Sequence, residues 1–226
     1  MQSFIPGVIL GFFAGLVWIR LELFPIKWLK KYKRVLSQSN QSSIKTSDFD
    51  NLRDQFRSIH PQHSSVVFGD SIIQLGMWEE LIPQLQIHNR GISGDRSVDC
   101  LNRIKDVLEL SPKKCIIYIG INDVIHNISI QETIKNLEKI VMILKGNDVK
   151  VYLLELFNAG EYKIPGFSQH ISQLNEEYSD LAQTLKINFL RIGGSDSQIK
   201  FLNTDGIHLN GKGYSTLAKI ILHALD

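Results

Sequence analysis

A serine, an aspartate and a histidine in this chain have the types and spacing needed to attack an acyl carbon. Ser71 follows an apolar run, Ser65–Phe68, which predicts a buried strand that ends in a turn and opens a helix. That place is the carboxyl edge of an open sheet, where α/β proteins bind ligands, and the positive end of a helix. Ser71 is therefore a candidate nucleophile, with an ordinary N-cap serine in Gly69-Asp70-Ser71 as the alternative.

Asp205 and His208 lie three residues apart in a glycine-flanked loop before the last amphipathic helix. Three residues span about one helical turn, so a single turn can direct the histidine toward Ser71 and keep the carboxylate close by. The histidine could then act as a general base, and the carboxylate could fix its tautomer and stabilise the imidazolium. The alternative for this tetrapeptide alone is a solvated loop whose side chains cap the last helix.

Two other loops could donate hydrogen bonds to the oxyanion of a tetrahedral intermediate, where each donor is typically worth ~2.7–4 kcal/mol. Gly91 follows a strand-like run, Leu85–His88, and its missing Cβ lets its N–H approach a ligand closely. Asn122 follows the most apolar strand candidate, Cys115–Ile119, and offers a side-chain amide. A plain turn glycine and an Asx-type turn are the alternatives, but both residues fall at strand ends in register with Ser71.

Together these segments resemble the four blocks of the SGNH hydrolases, also called the GDSL family, whose name lists Ser, Gly, Asn and His. The blocks are Gly69-Asp70-Ser71, Asn89-Arg90-Gly91, Gly120-Ile121-Asn122-Asp123 and Asp205-Gly206-Ile207-His208. The resemblance spans residues 64–225, and Ile72 stands where the GDSL name has leucine. The segment Asn89–Gly94 is most similar to the branch that contains platelet-activating-factor acetylhydrolase-type and lysophospholipase-like esterases.

The resemblance implies a role for each matching residue. Ser71 would be the nucleophile, His208 the general base and acid, and Asp205 the carboxylate that orients the histidine. The oxyanion hole would comprise the Ser71 N–H, the Gly91 N–H and the Asn122 side chain.

Other residues in or near these blocks have less defined roles. We expect Asp70 and Asp123 to brace their loops. Asp70, Arg90 and His126 are also candidates to line the substrate site, with a solvated surface position as the alternative for Arg90 and His126. Ser93 does not lie in a G-x-S-x-G elbow, so we expect a loop residue there and not a second nucleophile.

Helical and strand patterns alternate along the rest of the chain. Apolar residues share one helical face in three segments: Val98, Leu101, Ile104 and Leu108; Ile134, Leu137, Val141 and Leu144; and Ile171, Leu174, Tyr178, Leu181 and Leu185. Ser129 and Glu132 form a capping box before the second segment, and Val149–Leu154 and Ile187–Leu190 read as further strands. Alternating strands and helices favour a parallel sheet covered on both faces. We predict a three-layer α/β/α sandwich with a five-stranded, flavodoxin-like sheet.

Composition allows one sizeable core, since 43% of the 226 residues are hydrophobic. No His or Cys cluster has metal-ligand spacing and no glycine-rich phosphate loop follows a strand, so we expect neither a metal nor a cofactor. Cys100 and Cys115 are more simply packed thiols than a disulfide.

An apolar run without charges, Phe4–Ile19, begins near the N-terminus and continues toward Pro25. A spanning helix usually needs ~20 apolar residues, so we predict a single-pass membrane helix near residues 4–24. The basic segment Lys27–Arg34 suits anionic headgroups better than nucleic acid because the apolar run precedes it. It also favours a cytoplasmic catalytic domain. The alternative is a cleaved signal peptide with the domain outside, although no basic residue precedes the run.

The predicted organisation is a membrane anchor and basic segment over residues 1–35, a flexible linker rich in Ser, Gln and Asn over 36–47, and a hydrolase domain over 48–226. A short amphipathic helix, Asp48–Ile59, would open the domain. The predicted function is hydrolysis of carboxylic esters or thioesters of an acylated lipid or glycan through a Ser71 acyl-enzyme. The alternative is a non-catalytic, membrane-tethered module that binds an acylated ligand or a protein partner.

Overall fold

Five short parallel strands form one sheet in a computed structural model of the chain, which describes residues 47–58, 65–158, 166–193 and 198–226. The strands are β1 (Ser65–Gly69), β2 (Ile87–Gly91), β3 (Lys114–Tyr118), β4 (Lys150–Leu154) and β5 (Asn188–Leu190). Their order in the sheet is β2-β1-β3-β4-β5, which is the flavodoxin-like order. The predicted five-stranded parallel sheet is therefore confirmed.

Nine α-helices and one 3₁₀-helix surround the sheet in the described part of the chain. In chain order they are α1 (Ser47–Ser58), α2 (Ser71–Gln74), α3 (Trp78–Leu81), α4 (Ser97–Asn102), α5 (Ile104–Leu108), α6 (Ile121–Ile125), α7 (Ile130–Lys145), α8 (Phe167–Leu185), the 3₁₀-helix (Gln198–Phe201) and α9 (Gly211–Leu225). Successive residues of a strand face opposite sides, yet the last four residues of β1, β3 and β4 are all buried. Both faces of the sheet are thus covered, as a three-layer sandwich requires.

The first predicted apolar helical face is divided between two helices. The prediction of a single helix through residues 98–108 is wrong, because α4 ends at Asn102 and α5 begins at Ile104. The side chain of Arg103, between them, is fully buried. Cys100 in α4 and Cys115 in β3 are buried free thiols, as predicted.

Helix α1 is held against the domain by its polar and aromatic side chains. Arg53 donates two hydrogen bonds to the buried Asp106 carboxylate, at 2.7 and 3.1 Å. The ring of Phe56 lies 4.4 Å from the Arg90 guanidinium. A helix of this length is marginal alone, so these contacts with α5 and β2 stabilise it.

The predicted membrane anchor near residues 4–24 and the linker up to residue 46 lie outside the described residues. Among the helices that the structure describes, none is both long and apolar enough to cross a bilayer. The anchor therefore stays a prediction.

Candidate active site

Three residues from two parts of the chain that are distant in sequence form a continuous chain of hydrogen bonds. His208 Nε2 lies 3.0 Å from Ser71 Oγ, although the two residues are 137 positions apart. His208 Nδ1 lies 2.8 Å from Asp205 Oδ2. A proton on Nδ1 that is donated to the carboxylate leaves Nε2 free to accept the hydroxyl proton of the serine. The structure thus brings together Ser71, His208 and Asp205, with the geometry that a general base and its nucleophile need.

Asp205 also organises the loop that presents the histidine. Its Oδ1 accepts hydrogen bonds from the backbone N–H groups of Ile207 and His208, both at 2.9 Å. Burial alone would raise the pKa of Asp205, but the hydrogen bonds from Ile207 and His208 outweigh it and lower the pKa. The carboxylate is therefore held in its ionised form, which stabilises a protonated imidazole.

Ser71 begins α2, a helix of four residues whose contacts with neighbouring elements hold it in place. Asp70 caps it by accepting a hydrogen bond from Ile72 N at 3.0 Å. Tyr214 of α9 donates its hydroxyl proton to Ile72 O at 3.0 Å. Asn89 Nδ2 donates to the carbonyls of Ile73 and Gln74, at 2.9 and 3.1 Å. The nucleophile is thus placed by tertiary contacts and not by a long helix.

We predicted that the second strand ends at His88 and that Gly91 follows it. In the structure the strand continues, and Gly91 is the last residue of β2. A Cβ at Gly91 would lie 2.2 Å from Gln74 N, so only glycine allows β2 to pack so closely against α2. Its N–H donates to Asn89 Oδ1 at 2.9 Å. To bind an oxyanion, the Gly91 N–H would have to give up its bond to Asn89 Oδ1 or divide between Asn89 Oδ1 and the oxyanion.

Asn122 lies in the first turn of α6, at the carboxyl end of β3. Its Nδ2 donates one hydrogen bond to the backbone carbonyl of Asp95 at 3.0 Å. An amide NH₂ has two hydrogens, so a second one remains to bind an oxyanion. The neighbouring Asp123 is buried and accepts hydrogen bonds from Ser97 N and Thr133 Oγ1, at 2.8 and 3.2 Å. Asp123 therefore braces its loop, as expected.

The three candidates for lining the substrate site have different positions. Arg90 is 2% exposed, so it is neither a substrate-lining residue nor a surface residue. Alternate strand residues face opposite sides, and Arg90 faces α1 while Asn89 and Gly91 face α2. Asp70 is fully buried, which excludes contact with a substrate and raises its pKa to about 7. His126 is exposed with Nδ1 2.8 Å from Asn122 O, and its contact with a substrate stays a prediction.

The spacing of the sequence motifs did not indicate that Asn89, Asp95 and Arg103 hold the site together. Charged residues are rarely fully buried, so nothing in the helical pattern singled out Arg103. Asn89 belongs to a family block, and its place directly after the strand-like run Leu85–His88 was the only signal. Across the described residues, no group of three or more His, Cys, Asp or Glu side chains could hold a metal ion.

Comparison with known proteins gives consistent matches. The family described as GDSL-like Lipase/Acylhydrolase matches residues 67–215. Platelet-activating factor acetylhydrolase IB subunit alpha2 of Homo sapiens is 27% identical over 172 residues, which cover 67% of this chain and 71% of that protein. A GDSL-like lipase from Bacteroides thetaiotaomicron is 25% identical with a TM-score of 0.65, covering 86% of this chain and 96% of that one. A lipase/acylhydrolase from Enterococcus faecalis has the same fold, with a TM-score of 0.65 and 23% identity over 73% of this chain and 95% of that one. These matches confirm the resemblance seen in the four sequence blocks.

Proposed function

We propose that this chain, which belongs to the GDSL-like lipase/acylhydrolase family and is an ester hydrolase, works through an acyl-enzyme on Ser71. The observation that supports this mechanism best is the hydrogen-bond chain from Asp205 through His208 to Ser71 Oγ. A non-catalytic binding module, the alternative from the sequence, has no need for a carboxylate that orients a histidine toward a serine.

Acylation begins when Ser71 Oγ attacks the carbonyl carbon of the ester. The hydroxyl proton passes to His208 Nε2, and the ionised Asp205 stabilises the imidazolium. The negative charge of the tetrahedral intermediate falls on the former carbonyl oxygen. When the bond to the alcohol oxygen breaks, the imidazolium gives its proton to that oxygen and the alcohol leaves.

Deacylation repeats these steps with water. His208 accepts a proton from the water molecule, whose oxygen bonds to the acyl carbon. The bond from that carbon to Ser71 Oγ then breaks, and the serine oxygen takes back the proton from His208. The net reaction consumes one water and releases an acid and an alcohol, or a thiol where the substrate is a thioester.

The oxyanion would be held by the N–H of Ser71, the N–H of Gly91 and the side chain of Asn122. The first amides of a helix have no acceptor within the helix, so the Ser71 N–H can point at a ligand. Asn122 has one amide hydrogen beyond its bond to Asp95 O. The Gly91 N–H would join by sharing or leaving Asn89 Oδ1.

An acylated lipid or glycan is the proposed substrate class, because apolar surface lies next to the nucleophile. Leu75 is 55% exposed and lies four residues after Ser71, on the same side of the turn. Met77 is 60% exposed and lines a cavity of about 250 Å³ together with Trp78, Ile87 and two carboxylates, Glu79 and Glu80; among the residues that the structure describes, no triad residue lines that cavity. An exposed large apolar side chain one turn from the nucleophile suits an acyl chain.

We also propose that the segment near residues 4–24 anchors the catalytic domain to the cytoplasmic side of a membrane. The uncharged run Phe4–Ile19 and the basic segment Lys27–Arg34 support this orientation. Carbonate-washed membranes from cells that make the full chain should retain it, and Leu10→Lys with Leu16→Lys should release it. Release of the unaltered chain by carbonate would contradict the anchor.

The mechanism is tested with a fluorophosphonate probe, which labels only activated serines, on the full chain in detergent. Intact mass should show one adduct on the unaltered chain and none on folded Ser71→Ala or His208→Ala. Ser93→Ala, an exposed serine in a neighbouring loop, is the matched control and should label normally. Normal labelling and ester turnover by folded Ser71→Ala would reject the mechanism.

A further inference from the structure

Arg103 is a fully buried guanidinium that joins three segments around the active site. Its Nη2 donates to Gly69 O at 2.8 Å, and its Nη1 donates to Arg90 O at 2.9 Å. Its Nε donates to the Asp95 carboxylate at 2.5 Å. The ring of Phe68 packs 4.6 Å from the guanidinium carbon. One side chain thus contacts the ends of β1 and β2 and the loop that follows β2.

The bond to Arg90 O bears directly on the Gly91 amide. The carbonyl of Arg90 and the N–H of Gly91 belong to the same planar peptide unit, in which the two groups point in opposite directions. Because Arg103 holds the Arg90 carbonyl, the Gly91 N–H of the same peptide unit must point away from Arg103. On the far side, Asn89 Oδ1 accepts that N–H, at the position where an oxyanion would replace or share it.

The ion pair with Asp95 bears on the Asn122 amide. The carboxylate of Asp95, 3% exposed, is held by Arg103, while its backbone carbonyl accepts the Nδ2 proton of Asn122 at 3.0 Å. A shift of Asp95 would therefore rotate the Asn122 side chain. Two of the three oxyanion donors are thus oriented through the same guanidinium.

From these contacts we propose that Arg103 is a positioning residue that aligns the Gly91 and Asn122 oxyanion donors, a role that rests on the proposed function. Within the described residues, Arg103 makes no hydrogen bond to Ser71, Asp205 or His208. It sets the stabilisation of the developing oxyanion and leaves the proton transfer to His208 unaffected.

The planar fork of arginine is needed for this arrangement. A guanidinium presents five N–H donors in fixed directions, whereas a lysine presents three donors on one nitrogen. Arg103→Lys keeps a positive charge beside Asp95 but cannot bind Gly69 O, Arg90 O and the carboxylate in the same geometry. This variant therefore removes the alignment while the buried carboxylate keeps a partner.

The test is steady-state hydrolysis of p-nitrophenyl acetate by the full chain, with Arg53→Lys as the matched control. Arg53 also pairs with a buried carboxylate, Asp106, but in the described part of the chain its two hydrogen bonds both go to that carboxylate and none goes to Gly69, Arg90 or Asp95. Arg103→Lys should lower kcat by at least ~10-fold, because a displaced oxyanion donor is worth that much or more. KM should change by less than about twofold, and the pH midpoint of kcat/KM should stay in place, because oxyanion alignment is separate from binding and proton transfer. Arg53→Lys should keep the unaltered kcat.

A double-mutant cycle separates alignment from simple destabilisation. If Arg103 acts through Asn122, the Arg103→Lys/Asn122→Ala variant should lose less kcat than the product of the two single losses. Multiplicative losses, or a shifted pH midpoint, would overturn the proposal. If Arg103→Lys does not fold, Asp95→Asn replaces it with the same readouts, and unaltered kcat in that variant overturns the proposal too. An unaltered chain that neither hydrolyses esters nor labels with fluorophosphonate instead refutes the proposed function.

Discussion

Replacing Gly91 by alanine should displace the helix that holds the nucleophile. The added Cβ would lie 2.2 Å from Gln74 N and 2.7 Å from both Gln74 Cα and Ile73 C. These are backbone atoms, which cannot rotate aside as a side chain can. Comfortable contact begins at about 3.5 Å, so β2 and α2 must separate by on the order of 1 Å. Ser71 would move with α2, away from His208.

The size of the effect follows from that displacement. A shift of about 1 Å in a catalytic group costs roughly 100-fold in rate, so kcat/KM should fall by about two orders of magnitude. Overpacking of this kind costs about 1–3 kcal/mol of stability. For a chain of this size the melting temperature should then drop by roughly 2–12 °C, and the variant should still fold.

The assay compares Gly91→Ala with Gly211→Ala, a glycine-to-alanine change without a steric conflict. No atom lies within 4 Å of a Cβ at Gly211, in the first turn of α9. Gly211→Ala should therefore keep the unaltered kcat/KM. Its melting temperature, measured by circular dichroism, should stay the same or rise by a few degrees, because alanine forms helices better than glycine. A folded Gly91→Ala protein with unaltered kcat/KM would refute the reasoning that β2 and α2 touch at this residue.

Three further outcomes are expected. Asn122→Ala should lower kcat by roughly 10²–10³-fold through loss of an oxyanion donor; a steady-state loss confined to KM would contradict that role. Because burial raises the pKa of Asp70 from 3.8 to about 7, the folded chain binds a proton that the unfolded chain releases, and stability should fall as pH rises from 4 to 7. In urea unfolding, Asp70→Asn should lack most of the stability loss between pH 5 and pH 8. That loss is about 2–3 kcal/mol, because the folded chain keeps the proton over roughly two pH units at about 1.36 kcal/mol each. Equal losses in both proteins would show that Asp70 does not cause it. Tyr178→Phe should cost about 1–3 kcal/mol in the same assay, because it leaves the buried Ile119 carbonyl without the 2.6 Å bond from the tyrosine hydroxyl; unchanged stability would contradict this.

The strand order and the grouping of the reactive residues were predictable from the sequence. Apolar runs and helical periodicity are local properties, and connections between parallel strands obey strong rules of handedness. The short spacing of Asp205 and His208 made their pairing foreseeable as well. Element ends were less predictable, since α4 and α5 separate at Arg103, a fully buried charged residue that the apolar pattern through residues 98–108 does not mark.

The sequence by itself determined which chemical groups this protein has and the order in which its strands present them. Only the tertiary structure decided that Arg90 is buried beneath α1, that Asn89 accepts the Gly91 amide, and that Arg103 reaches Gly69, 34 positions away. These arrangements depend on the face of a strand that a side chain occupies and on the segments packed against it. Both are set by contacts between distant parts of the chain, which no local pattern records.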